Sequence, residues 1–229
     1  MAAFLKQPFA VMDMNSIINL FICFALPVVV WLLARPVLLR AQQVNPLRAQ
    51  LQAFKYSAEL FNRLLTDQPK FALPDEDWSI VLGNVEAGNI ITMVTNPFCQ
   101  PCVDTHEVLN NWLDNNLDIQ VRIVFTANND ENDIRTPVAR HMMALNELPD
   151  KGTVKRALHE WYGQKRKNYD DWAKGYPVNL DATKYYKIEK QKEWCDMAEV
   201  KATPTLLING YRLPKEYQLK DIKYLLAQQ

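Results

Sequence analysis

The chain has 229 residues, 48% hydrophobic and 23% charged, enough apolar material for one sizeable core. Its 26 basic residues balance 26 acidic ones, so no net field draws it to nucleic acid, and no basic stripe with interleaved aromatics does so locally. Six glycines, no P-loop, no GxGxxG and no internal repeat leave phosphate-cradling loops without a motif, and no cofactor is expected.

Residues 1–15 read as an N-terminal tail. From Met14 to Ala34 there is no charge, and 17–33 is almost wholly apolar. About 20 apolar residues rising about 1.5 Å each span the ~30 Å hydrocarbon layer, so 16–40 is expected to be a transmembrane helix. Pro27 falls near its middle, where a membrane helix accepts a kink, and Trp31 near one end, where an interfacial ring belongs. Two other readings stand beside it. A cleaved signal peptide would begin earlier and offer a small-x-small site, whereas Arg35-Pro36 follows here. A buried core helix is the other, since Asn19 is polar. Cys23 within the run reads as a small apolar side chain. Arg35, Arg40, Arg48 and Lys55 follow the span and only Lys6 precedes it, which by the positive-inside rule would put the rest of the chain in the cytosol.

Residues 41–72 are expected to be an amphipathic connector helix. Leu47, Leu51, Phe54, Ala58, Phe61 and Leu65 recur at spacings of four and three, one apolar stripe. The stripe is too short for an independent coiled coil, so it packs on its own domain, the membrane surface or a partner. Pro69 and Pro74 break it, and a folded domain is expected over 73–229.

Within that domain, 79–84 reads as a short strand and 89–95 as a central one. Asn96-Pro97-Phe98-Cys99-Gln100-Pro101-Cys102 follows, opening a helix over 103–116. A strand that delivers a Cys-x-x-Cys to the first turn of a helix is what dithiol–disulfide exchange requires. Unpaired N–H groups and partial positive charge at the helix start stabilise a thiolate. Cys99 is then the nucleophile, and Cys102 is close enough to resolve a mixed disulfide. Zinc binding is the first competitor, but a structural site needs four ligands. Beyond the pair the chain offers His106, His141, His159, Cys195 and carboxylates, with no second close pair. His106, four residues after Cys102, shares its helical face and reads as a surface or partly buried residue. A purely structural disulfide is the second competitor, though so small a loop gains little chain entropy.

A strand over 119–126 follows, then helices only from 134 to about 197, interrupted at Pro149, Gly152 and Gly175-Tyr176-Pro177. Lys165-Arg166-Lys167 reads as a solvated helix face. Cys195, beside Trp194, is either a buried unpaired thiol or a third thiol relaying electrons to the pair. Next comes Thr203-Pro204-Thr205-Leu206-Leu207-Ile208-Asn209-Gly210-Tyr211: a proline opening a strand, an Asn-Gly hairpin turn and a second strand. A helix over 216–227 closes the chain.

The Cys-x-x-Cys and Thr-Pro segments together resemble the active-site and cis-proline loops of the thioredoxin superfamily. The fold class this implies is α/β, a thioredoxin-like fold with a helical insertion at about 134–197, preceded by one transmembrane helix. From about residue 16 onward the layout is most similar to the domain fused behind the last membrane helix of bacterial vitamin K epoxide reductase homologues. The resemblance implies that Thr203 and Pro204 face Cys99 and, with Phe98, Gln100 and Pro101, form the surface that takes the substrate chain. It implies protein or peptide thiols and disulfides as substrates, a membrane redox partner of vitamin K epoxide reductase type, and an extracytoplasmic redox domain. That last implication outweighs the arginines after the span, although a cytosolic domain remains the alternative orientation. The quinone-reactive bundle of such fusions, with its own Cys-x-x-Cys, has no counterpart here, and Cys23 is a single thiol. Two departures bear on chemistry: Met93 stands where many thioredoxins carry a buried acid, and Gln100-Pro101 is neither the thioredoxin dipeptide nor that of the strong periplasmic oxidases. A thiol reductase dedicated to one client, and a peptide-binding module whose cysteines are incidental, are the competing functions.

Overall fold

The computed structural model describes residues 14–115 and 117–226, with side chains throughout except at 16, 17, 20, 37, 40–50, 52 and 53. The expected N-terminal tail, Lys6 included, lies outside the described residues up to residue 13. The chain divides into two units, Met1–Lys55 and Tyr56–Gln229.

The first unit is one long helix, α1 (Met14–Lys55), which runs on past the expected end of the span at residue 40. Among the described residues, no helix is long and apolar enough to cross a membrane. The described apolar side chains of α1 are exposed on every side of the helix: Phe21 at 74%, Phe24 at 72%, Trp31 at 56% and Leu33 at 70%.

The second unit starts earlier than the expected residue 73. A separate helix, α2 (Ala58–Thr66), begins where Ser57 Oγ accepts the Leu60 N–H at 3.4 Å. It sends Phe61 and Leu65 into the main core, Phe61 edge-on to Tyr217 at 5.0 Å. The connector expected over 41–72 is therefore two helices, and the second belongs to the folded domain because its apolar stripe is part of that core.

Five strands form the sheet: β1 (Ile80–Gly83), β2 (Ile90–Thr95), β3 (Gln120–Phe125), β4 (Thr205–Ile208) and β5 (Tyr211–Arg212), in the order β1-β3-β2-β4-β5. β2 and β3 are parallel, which demands a crossover, and α3 (Gln100–Asp114) supplies it. β2 and β4 are antiparallel with Val94 opposite Thr205. That register sets the residues before β4 beside the turn that follows β2. The Asn209-Gly210 turn has φ of 51° and 85°, the left-handed pair a two-residue hairpin needs. A side chain at Gly210 would lie 2.5 Å from the Phe71 carbonyl oxygen. Asn209 Oδ1 also accepts the Ile90 N–H at 2.7 Å, tying the hairpin to β2.

Between β3 and β4 lie α4 (Thr136–Asn146), α5 (Lys151–Gly163), α6 (Tyr169–Gly175), a 3-10 turn (Ala182–Lys184) and α7 (Tyr186–Met197). Gly152, expected as a break, sits instead in the first turn of α5, its N–H held 2.9 Å from Asp150 Oδ1 at the N-cap. Lys165-Arg166-Lys167 is not a helix face either. It connects α5 to α6, and Lys167 Nζ donates to the carbonyls of Trp161 and of Tyr162, as a cation suits the C-terminal end of a helix. The main core fills one face of the sheet with Ile91, Met93, Ile123 and Phe125 against α3 and α5. A smaller cluster joins Val94, Val124 and Leu207, the alternate residues of the same strands, to Trp194, Cys195 and Ala198. The closing helix α8 (Leu219–Leu226) seals the main core with Ile222 and Leu225.

Candidate redox site

The site is built on the turn between β2 and α3. Asn96 Oδ1 accepts the Phe98 N–H at 2.9 Å, and the Asn96 carbonyl accepts the Cys99 N–H at 3.0 Å. Cys99 itself is the N-cap of α3, with extended φ −79° and ψ 116°, and no side-chain hydrogen bond caps the helix. Its sulfur thus occupies the place that a capping hydroxyl or carboxylate fills elsewhere, where a thiolate meets unpaired N–H groups. Pro101 lies in the first turn, where the missing N–H has no partner to lose.

Cys99 and Cys102 are joined as a disulfide. Cys99 is half-buried and Cys102 wholly buried, while Phe98, Gln100 and Pro101 are exposed around them. Across from the pair, Thr203-Pro204 is a cis peptide bond, and the Thr203 carbonyl oxygen is 3.3 Å from Cys99 Sγ. The sheet register thus brings together the two segments that lie about a hundred residues apart in sequence. An open groove of about 620 Å³ continues from there, lined by Pro101, Val108, Pro204, Leu206, Leu213 and Tyr217 among others.

Two side chains behind the turn, Trp161 and Tyr162, come from the helical insertion, and their role left no sign in the sequence. Trp161 Nε1 donates to the Pro97 carbonyl at 2.8 Å, and the Phe98 ring stands perpendicular to the Trp161 ring at 5.7 Å. The Tyr162 hydroxyl donates to the Asn96 carbonyl at 3.3 Å and lies 2.8 Å from Thr95 Oγ1. His106 is buried, not superficial, and stacks on Tyr162 at 3.8 Å. Burial, with the nearby Lys167 charge, holds its pKa down to about 3, and its Nε2 has no partner. Burial also pushes the Tyr162 hydroxyl well above the usual phenol range. The only sequence signal for this packing was a Trp-Tyr pair in a helix; a link spanning more than sixty residues leaves no periodic trace.

Cys195, considered as a relay, lies in the smaller cluster, on strand residues alternate to those that face Cys102. Burial pushes its thiol up to about 12. Cys23 is exposed on α1. Among the described residues no three or more His, Cys, Asp or Glu side chains gather as a metal site would, and His106 faces Tyr162 rather than a cation.

No family model matches the sequence, and no curated protein does. Solved structures do match the fold. The chain is similar to ScsC of Proteus mirabilis in a compact conformation, at TM-score 0.58 and 15% identity over 85% of this chain and 95% of that one. It is similar to a periplasmic thioredoxin-like protein from Salmonella enterica serovar Typhimurium, at TM-score 0.55 and 16% identity over 74% and 95%. BdbD of Bacillus subtilis in its oxidised state matches at TM-score 0.54 and 14% identity over 71% and 97%. The second unit therefore has a mixed α/β thioredoxin-like fold with a helical insertion.

Proposed function

We propose that this chain is a thiol–disulfide oxidoreductase acting on cysteines of protein or peptide substrates. The observation that carries the reading is the Cys99–Cys102 disulfide at the bare N-terminus of α3 with the Thr203 carbonyl 3.3 Å from Cys99 Sγ. In the oxidising direction a substrate thiolate attacks Cys99 Sγ, the Cys99–Cys102 bond breaks, and Cys102 leaves as a thiolate. A second substrate thiolate then attacks the mixed disulfide and releases Cys99. The substrate loses two electrons and the pair gains them; the reductive direction runs the same steps backward. The asymmetry of burial supports Cys99 as the atom attacked and Cys102 as its internal partner. Thr203, Pro204, Phe98, Gln100 and Pro101 border the pair and would hold the substrate chain as an added strand. Cys195 takes no step in this scheme, being buried apart from the pair.

The fuller reading adds an anchor and a partner. The uncharged stretch from Met14 to Ala34 and the apolar side chains exposed around α1 support a membrane helix, because a helix apolar on all sides needs an apolar surrounding. The periplasmic setting named for one structural neighbour supports an extracytoplasmic redox domain. With one Cys-x-x-Cys in the chain, each turnover leaves a dithiol that something else must reset, and a membrane partner of vitamin K epoxide reductase type would do so. The groove beside Pro204 favours one second reading, a peptide-binding module. Replacing Cys99 with Ser separates them: the oxidoreductase loses exchange with a dithiol peptide altogether, whereas a binding module keeps its peptide affinity and its cellular role. A Cys99→Ser chain that performs fully would overturn the redox reading.

A further inference from the structure

We propose that Trp161 and Tyr162, from the helical insertion, are positioning residues that set the thiolate stability of Cys99, by holding the two backbone carbonyls that immediately precede the redox pair's turn. It rests on the exchange reading above and deepens it: the insertion becomes a tuning element of the redox pair as well as a cover for the core.

Three contacts converge on three consecutive residues, Thr95, Asn96 and Pro97. Trp161 Nε1 takes the Pro97 carbonyl at 2.8 Å, the Tyr162 hydroxyl takes the Asn96 carbonyl at 3.3 Å, and Thr95 Oγ1 pins that hydroxyl at 2.8 Å. Trp161 is fully buried and Tyr162 is 3% exposed, so neither bond competes with solvent. Tyr162 cannot swing away, since His106 stacks on its ring and Lys167 Nζ lies 5.4 Å from the ring centre. Trp161 is fixed in the same way by Trp172, edge-on at 5.3 Å. The Asn96 carbonyl also accepts the Cys99 N–H, so the Tyr162 bond acts on the atom that fixes the N-cap geometry of Cys99. A carbonyl oxygen whose negative end is taken up by a donor repels a neighbouring thiolate less. A carbonyl stripped of its donor repels it more and leaves the turn free to shift the sulfur off the helix axis. The ionisable groups packed around the turn are His106 from α3, Tyr162 from α5 and Lys167 after it. His106 is held neutral and Tyr162 protonated through neutral pH, so an altered Cys99 titration in the variants reflects the lost donors.

The test uses the full chain in detergent with Tyr162→Phe and Trp161→Phe, which delete one donor each and keep a ring in place. Two quantities are read: the pH midpoint for carbamidomethylation of Cys99 by iodoacetamide, and the equilibrium constant for exchange with glutathione. A net hydrogen bond lost from the turn that holds Cys99 lowers the ratio of thiolate to thiol about threefold to tenfold. The alkylation midpoint should therefore move to higher pH, and the glutathione equilibrium should shift toward the disulfide by a similar factor. Thermal melting reports folding separately, and Tyr169→Phe, which removes a hydroxyl of the same insertion that meets His141 Nδ1 at 3.1 Å, should leave the alkylation midpoint in place. A folded Tyr162→Phe chain with wild-type midpoint and wild-type equilibrium overturns the inference and leaves these residues a packing role. If the wild-type pair does not exchange with glutathione at all, the proposed function has failed instead.

Discussion

At the residue scale, the structure places one sulfur of the proposed redox pair at a helix start and buries the other. Cys99 takes the N-cap position with no competing side chain, so its thiolate has the N–H groups to itself. Cys102, one turn on, is fully buried and meets solvent thiols only through Cys99. His106 makes a second residue-scale prediction. Burial lowers its folded pKa to about 3 from an ordinary 6.5, so the unfolded chain takes up a proton that the folded one refuses. This contribution favours the folded state fully above about pH 6.5 and erodes as the pH falls toward 3. His106→Phe keeps a ring against Tyr162 and removes the unpartnered Nε2. Its melting temperature should fall less between pH 7 and pH 4 than that of the wild type; parallel falls would show that His106 is not what titrates. The Cys-x-x-Cys was legible in the sequence as a local signal, a strand ending in a helix start; Thr203-Pro204 was legible locally only as a proline opening a strand, and its place beside Cys99 came from the family resemblance. Trp161, Tyr162 and buried His106 were not, because their partners are fixed only when α5 folds back over α3.

At the scale of elements, β2 and β4 make the site. Their antiparallel register places Thr203-Pro204 beside the turn after Thr95, so a one-residue slip would turn every β4 side chain to the opposite face and shift the proline loop along that turn. The alternating apolar runs and the Asn-Gly turn showed these strands in the sequence to within a residue or two at most ends. The boundary of the folded unit was less legible. The apolar stripe from Leu47 to Leu65 runs without a change of period across Tyr56-Ser57, so spacing alone could not divide it into α1 and α2. What divides it is tertiary: Phe61 reaches Tyr217 and Leu65 the same core. Phe61→Ala should therefore destabilise the second unit by about 3–5 kcal/mol in urea unfolding, and a piece beginning at residue 73 should be less stable than one beginning at Tyr56. Equal unfolding midpoints for the two pieces would show that α2 contributes nothing.

At the scale of the molecule, an acidic unit of thioredoxin-like fold, beginning at Tyr56, follows in sequence a helix whose described apolar side chains are exposed. In the sequence, balanced charge and few glycines argue against nucleic acid and phosphate-cradling loops, whereas the proposed anchor and its orientation rest on the apolar stretch and the charges that flank it. With the helix present, the chain should stay with membranes through alkaline carbonate washing, and a piece beginning at Tyr56 should not. An alkaline-soluble full chain would remove the anchor from the account and leave the redox site untouched. The most direct test of the central claim is the redox midpoint of Cys99–Cys102 against glutathione buffers, followed by alkylation and mass. The account predicts ready exchange with a midpoint above about −270 mV, and toward about −120 to −200 mV for an oxidase or isomerase outside the cytosol. A pair that stays oxidised in every buffer, with a midpoint below about −300 mV, would be a structural disulfide and would contradict it.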